Sequence, residues 1–252
     1  MPKTGPYNVA VILLHPACNM TCSFCITEDD FDAMTDAQAL DLLRQLKAGD
    51  FKSIVFGGGE PFQWPGKLLA LTEEAKKMGF LVQVGTNAVA LPENYQYIQS
   101  IDRYVLPLES SLSAVHNRMR FYKNRHQELI IDRLSRLRDA KKSVTLSTII
   151  TRVNRDDLRP LALFLKEFNA LSPFIHAWHL YKFIPQGRGG RKNASDLMIP
   201  DEAYASVCDG LKSMDLPFKV YQRKDMYHSR TVDFFWYKDG LLRSSGANRA
   251  LE

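Results

Sequence analysis

Short apolar runs alternate with longer amphipathic stretches along most of the chain, and that alternation leaves few folds open. Residues 7–14, 53–56, 81–85, 104–108, 143–150 and 178–184 are rich in Val, Ile, Leu, Phe and Tyr. Several read apolar throughout, as strands covered on both faces do. Between them the spacing predicts helices. The first starts at Thr35, where Gln38 three residues on completes a capping-box pattern, carries Leu40, Leu43 and Leu46 on one stripe, and stops at Gly49. Further helices are expected over 66–78, 93–100, 127–140, 156–168 and 201–214, with Gly79 closing the second. Repeated strand-then-helix units with right-handed crossovers build a parallel sheet. Six such units, fewer than the eight of a closed barrel, predict an α/β fold: an open, partial β/α barrel. A last helix and a hairpin should follow, with 218–222, then 233–237 turning at Lys238-Asp239-Gly240 into 241–244.

A chain of 252 residues, 45% of them hydrophobic, suffices for one domain with a sizeable core. The expected division is a barrel core over about 8–190 and an extension over 191–252, without a linker or low-complexity tract. No apolar run reaches bilayer length, and residues 1–7 lack a signal-peptide core, so the expected location is the cytoplasm, with no membrane partner. Residues 250–252 read as a cloning remnant. The formal net charge of +5 is modest. Arg118, Arg120, Lys123 and Arg125 cluster, as do Arg188, Arg191 and Lys192, yet neither group resembles a nucleic-acid recognition motif.

Cys18, Cys22 and Cys25 fall within eight residues, directly after the first strand, while Cys208 lies far away. A secreted disulfide framework spreads its cysteines; three crowded ones point to a metal or cluster. In a parallel barrel the loop after a strand lies at the catalytic face. Thiolates suit zinc or iron–sulfur centres. Structural zinc takes four ligands, and the further candidates are only His15 and Cys208. A second motif, Gly57-Gly58-Gly59-Glu60-Pro61, follows the second strand at the same face. Glycines let backbone approach a ligand closely, and Glu60 adds a carboxylate suited to an ammonium group.

Together these motifs closely resemble the radical S-adenosylmethionine (SAM) superfamily, and the resemblance extends over about 8–190. It implies a 4Fe–4S cluster on Cys18, Cys22 and Cys25, with one iron open to the amino and carboxylate groups of SAM. It implies that Gly58, Gly59 and Glu60 hold the SAM amino group and that Phe24 lies near adenine. Polar strand ends should meet the ribose and the methionine carboxylate. Ser110 and Ser147 are the ribose candidates and Asn87 a further one, while Arg120 offers a guanidinium fork to the carboxylate. The implied chemistry is one-electron cleavage of SAM to a 5′-deoxyadenosyl radical, which takes hydrogen from a small polar or anionic substrate. A flavodoxin or ferredoxin would supply the electron.

Residues 178–190 loosely resemble the viperin-like branch, which dehydrates nucleoside triphosphates, although Lys182-Phe183 stands where Phe-Gln is expected. In that reading Arg120, Lys123, Arg188 and Lys192 contact phosphates. Phe183, Pro185 and Gln186 should wall the site, and a glycine-flanked loop bearing Arg188 and Arg191 should fold over its mouth. A reading from another class is a non-catalytic cluster- or zinc-binding module. His15, His176 and His179 read as packed histidines, and Cys208 as a small buried hydrophobe.

Overall fold

The computed structural model describes residues 8–225, 229 and 231–246; the expectations for Tyr7 and for the remaining terminal residues lie outside these. In chain order the elements are β1 (Val9–Leu13), β2 (Thr21–Cys22), α1 (Asp36–Ala48), β3 (Ser53–Gly57), α2 (Leu68–Lys77), β4 (Leu81–Gly85), β5 (Arg103–Pro107), α3 (Ser113–Met119), β6 (Arg120–Phe121) and α4 (His126–Asp139). There follow β7 (Ser143–Ile150), α5 (Leu158–Ala170), β8 (Ile175–Lys182), α6 (Gly187–Gly190), α7 (Ala194–Leu197), α8 (Asp201–Lys212), β9 (Lys219–Arg223), β10 (Val232–Lys238) and β11 (Leu241–Ser244).

Nine strands form one sheet in the order β11-β10-β1-β3-β4-β5-β7-β8-β9. Every neighbouring pair is parallel except β10–β11. The edge strands β11 and β9 do not pair with each other, so the sheet stays an open, partial barrel. Because its strands run one way, the loops after β1, β3, β4, β5, β7 and β8 all emerge at the same end. Among the described residues no helix is long and apolar enough to cross a membrane.

Burial alternates along these strands, which is how the fold makes room for a site. Ala10 and Ile12, Ile54 and Phe56, and Val82 and Val84 are buried among the helices. Apart from the exposed Leu81, their odd-numbered neighbours in β1, β3 and β4 are only half-buried because they lie on the other face of the sheet, toward the open interior of the barrel. In the outer layer Leu43 and Leu46 of α1 are fully buried as the spacing predicts, but Leu42 joins them in place of Leu40, which is only partly buried; each fully buried leucine contributes about 1.5–3 kcal/mol. The Thr35–Gln38 capping box is formed reciprocally, and Gly79 takes the left-handed conformation just past α2 (φ +81°).

Two expectations are corrected. Residues 93–100 make a single 3₁₀ turn, Tyr95–Tyr97, rather than a helix, because Asn94 is left-handed (φ 58°) and Ile98 is already extended. At the C-terminus, β9 joins β8 in parallel at one edge, while the β10–β11 hairpin sits at the other edge against β1.

Candidate active site

The loop after β1 is folded by the loop after β3. Gly59 N–H donates to His15 O (2.7 Å) and Glu60 N–H to Ala17 O (2.9 Å), while His15 Nε2–H donates to Glu60 O (2.7 Å). This contact needs glycine: a Cβ on Gly59 would lie 1.9 Å from Ala17 O, and Gly58 has φ +124°. The two sequence motifs are thus one interlocked structure. Cys18, Cys22, Cys25 and Phe24 line one side of a cleft, with Gly58 and Gly59 beside them.

The three thiols carry no disulfide. Among the described residues no three His, Cys, Asp or Glu side chains converge tightly enough for a single metal ion. Three free thiols lining one cleft supply the ligand type that an iron–sulfur cluster takes. Burial pushes the Cys22 thiol up to about 11, opposed by Arg120, and raises Cys18 as well. A metal centre binding here would therefore displace protons as it binds.

Glu60 is placed differently from its sequence expectation. It is fully buried and outside the cleft lining. Oε1 accepts from Thr86 Oγ1 (2.6 Å) and Phe62 N (3.2 Å), and Oε2 accepts from Asn87 N (2.7 Å). The carboxylate ties the glycine loop to the end of β4, and burial raises its pKa. Ser110 is also removed from the cleft. Its hydroxyl donates to the Asp157 carboxylate, which accepts from Ser111 too, as capping chemistry commonly requires.

Asn87 and Ser147 do line the cleft. Asn87 is already committed, its Nδ2 donating to Asn19 Oδ1 (2.7 Å) and approaching Cys18 Sγ (3.4 Å). Ser147 makes only one long bond, to Leu106 O (3.5 Å), which leaves its hydroxyl available. Arg120 lines the cleft as well; its Nε donates to the fully buried Glu109 (2.6 Å), its Nη1 lies 3.6 Å from Cys22 Sγ, and its guanidinium covers the Phe24 ring at 4.8 Å. Glu109 Oε2 accepts from Ile149 N (2.7 Å), so this carboxylate aims Arg120 from two strand ends. Nothing in the local sequence marked Glu109 for that task, since its partner is eleven residues away through a helix.

A second unforeseen feature is a histidine relay. Glu109 N–H donates to His116 Nδ1 (3.1 Å), so His116 carries its proton on Nε2 and donates to His126 Nδ1 (2.8 Å), and His126 Nε2–H donates to Asn87 O (2.9 Å). Both rings are fully buried, which holds His116 down to about 2 and His126 to about 4.

The lining also includes Tyr181, Lys182, Ile184 and Arg188. Phe183 instead packs beneath Phe24 in a small cluster with Met119 and Leu197, and Pro185 and Gln186 are not in the lining. The glycine-flanked arginines do not form an open flap. Gly187–Gly190 is a helical turn seated on the cysteine loop, where Gly189 N–H and Gly190 N–H both donate to Cys25 O (3.1 Å each). Arg188 donates to Pro16 O (2.9 Å) and pairs with Asp29, while Arg191 pairs with Glu28. Lys123 and Lys192 are exposed outside the cleft lining.

The sequence pattern of the radical SAM superfamily matches residues 12–165. An S-adenosylmethionine-dependent nucleotide dehydratase of Lacinutrix mariniflava is 25% identical, covering 79% of this chain and 43% of that protein. One from Flammeovirga pacifica is 24% identical, covering 74% of this chain and 66% of that protein. The chain therefore spans less than half the length of the first and about two thirds of the second. In three dimensions it resembles SuiB of Streptococcus suis bound to S-adenosylmethionine, with TM-score 0.70 and 16% identity over 87% of this chain and 51% of that one. It also resembles the hydrogenase maturase HydG of Carboxydothermus hydrogenoformans, with TM-score 0.67 and 15% identity over 88% and 56%. A family pattern running from β1 into α5, through both interlocked loops, settles the membership: the chain belongs to the radical SAM superfamily, enzymes that use a 4Fe–4S cluster and SAM.

Proposed function

We propose that this chain is a radical SAM enzyme acting on a nucleotide, with dehydration as its reaction class. The observation that carries the reading is the cleft itself, whose lining brings the three thiols and Gly58–Gly59 together with two cations, Lys182 and Arg188. Each cation now holds a solvent-exposed carboxylate, Asp201 (48% exposed) or Asp29 (66%). Such surface pairs are worth only about 0–1 kcal/mol, so a phosphate, which offers stronger charge-assisted bonds, can take over either cation. Two of the relatives that it matches carry the nucleotide-dehydratase name. The reading of a non-catalytic cluster or zinc module is set aside by the family membership.

In this proposal Cys18, Cys22 and Cys25 hold the cluster, and Gly58 and Gly59 present backbone to SAM. Ser147 is the remaining ribose candidate, Phe24 flanks adenine, and Arg120, aimed by Glu109, faces the methionine carboxylate. When bound, the cluster and SAM supply a carbon radical that removes a hydrogen atom from the substrate. The protein's own part is to orient the substrate against SAM and keep water out of the cleft. A flavodoxin or ferredoxin supplies the electron. The test is anaerobic reconstitution followed by a nucleotide screen for 5′-deoxyadenosine release above the substrate-free baseline, with product masses read for loss of water. Stimulation by a nucleotide supports the proposal. No response to any nucleotide moves the substrate to another small anionic metabolite.

A further inference from the structure

The cysteine loop is enclosed on three sides. One side faces the cleft, a second packs on the Gly58–Glu60 loop and Asn87, and the third is covered by the Gly187–Gly190 turn. The fourth side is the two-stranded ribbon of β2 and β6, which pairs Cys22 with Arg120 and Thr21 with Phe121. Phe121 thus stands one residue beyond the cross-strand neighbour of a candidate cluster ligand, and it is 57% exposed, with Leu112 also exposed nearby in the chain.

Cations lie close to this ring along the chain. Arg118, Lys123 and Arg125 are exposed, and no carboxylate among the described residues forms an ion pair with them. The other flank of the loop is different: Arg188, Arg191 and Lys238 are each neutralised, by Asp29, Glu28 and Asp30. Lys123 and Arg125 also precede the first turn of α4, where the helix dipole is positive and a cation is the wrong charge for stability. Lys123 has a local contact, its ammonium 5.5 Å from the centre of the Tyr122 ring, but among the described residues none of the three cations has a paired carboxylate, which an acidic partner would supply.

We infer that this ribbon is the docking face for a small acidic one-electron carrier protein, which feeds the cluster through the Cys22 side. The inference rests on the radical SAM reading of the cysteine loop. The carrier's reduced cofactor is oxidised by one electron and the 4Fe–4S cluster is reduced by one, with no bond made or broken and no proton transferred. An exposed apolar ring within a cationic rim fits a carrier whose cofactor edge is ringed by acids.

The test uses the reconstituted holoenzyme, with flavodoxin as the probe, and a matched pair of substitutions. Lys123 and Lys141 are both exposed lysines in left-handed turns (φ 50° and 54°), so Lys123→Glu and Lys141→Glu change net charge equally, but only the first lies on the ribbon. Calorimetric titration should show flavodoxin affinity weakened several-fold by Lys123→Glu and nearly unchanged by Lys141→Glu. The Arg118→Glu/Lys123→Glu/Arg125→Glu variant should raise the Kd about tenfold or more and flatten its salt dependence. SAM cleavage driven by dithionite, which needs no docking face, should be the same in all of them. Equal shifts for Lys123→Glu and Lys141→Glu, or no shift in the triple variant, overturn the docking face alone. Failure of dithionite to drive SAM cleavage in the unaltered holoenzyme overturns the cluster reading beneath it.

Discussion

Replacing Gly189 with Ala tests whether the α6 turn holds the cysteine loop in shape. A Cβ at that position would lie 2.2 Å from Cys22 O and 2.7 Å from Cys25 N, both backbone atoms that cannot rotate away. Ordinary contact requires roughly 1 Å more, so the turn and the loop must separate. Overpacking of this kind costs about 1–3 kcal/mol. Separation also stretches the bonds from Gly189 and Gly190 to Cys25 O and from Asn193 Nδ2 to Ser23 O, each worth about 0.5–1.5 kcal/mol. For a chain of this size a loss of about 3 kcal/mol lowers the melting temperature by roughly 6–12 °C. The control is Gly210→Ala in α8, where an added Cβ meets nothing within 4 Å and helix propensity gains up to about 1 kcal/mol. Differential scanning fluorimetry of the apoprotein and iron content after reconstitution are the assays. Gly189→Ala should melt lower and retain less iron, and Gly210→Ala should do neither. Wild-type melting and iron content in Gly189→Ala would refute the bracing role.

Three further outcomes are expected. Replacing Cys18, Cys22 and Cys25 together with Ala should abolish iron binding, while Cys208→Ala, fully buried in α8, should keep wild-type iron content; loss of iron in the latter contradicts a three-cysteine centre. Glu60→Gln cannot accept from both Asn87 N and Phe62 N as the carboxylate does, so the apoprotein should lose about 1.5–3 kcal/mol; weaker SAM binding with unchanged melting would return Glu60 to direct ligand contact. Burial keeps His126 neutral down to about 4 and His116 to about 2, against 6.5 when unfolded. Below pH 6.5 the unfolded chain therefore takes up protons that the native chain refuses, and stability is lost progressively as pH falls from 6.5 towards 4. Urea melts at pH 7 and pH 5 should show this loss, smaller in His116→Gln/His126→Gln; an identical pH dependence in that variant argues against the relay.

Two kinds of information were readable from the chain before its structure, and a third was not. Elements with a strong local signal came through: the Thr35–Gln38 box, Leu43 and Leu46 of the α1 stripe and the Gly79 stop all depend on residues within a few positions of one another. So did the two loops, because a crowded cysteine triplet and a triple glycine each directly follow a strand. Residues 93–100 misled because their spacing suits a helix, while Asn94 adopts a left-handed turn that spacing cannot report. Long-range partners were invisible. Ser110 has the polarity of a ribose ligand, yet Asp157, forty-seven residues on, takes its hydroxyl.

The same long-range pairing explains why the arginines were harder to place than the cysteines. A cysteine triplet points to a soft metal centre wherever it folds, because few other roles gather thiols. An arginine takes its role from its nearest carboxylate, and the four candidates here diverge on that basis. Arg120 is aimed into the cleft by the buried Glu109. Arg188 reaches the cleft wall but is held by Asp29 and Pro16 O, and Arg191 is spent on Glu28 at the surface. Arg118, with no such partner among the described residues, is exposed. The chain thus sorts its basic residues by supplying or withholding acids: in the proposed function a cleft cation paired with an exposed acid is reclaimed by an anionic substrate, and in the proposed docking face a cation without an acid is kept for an acidic partner protein.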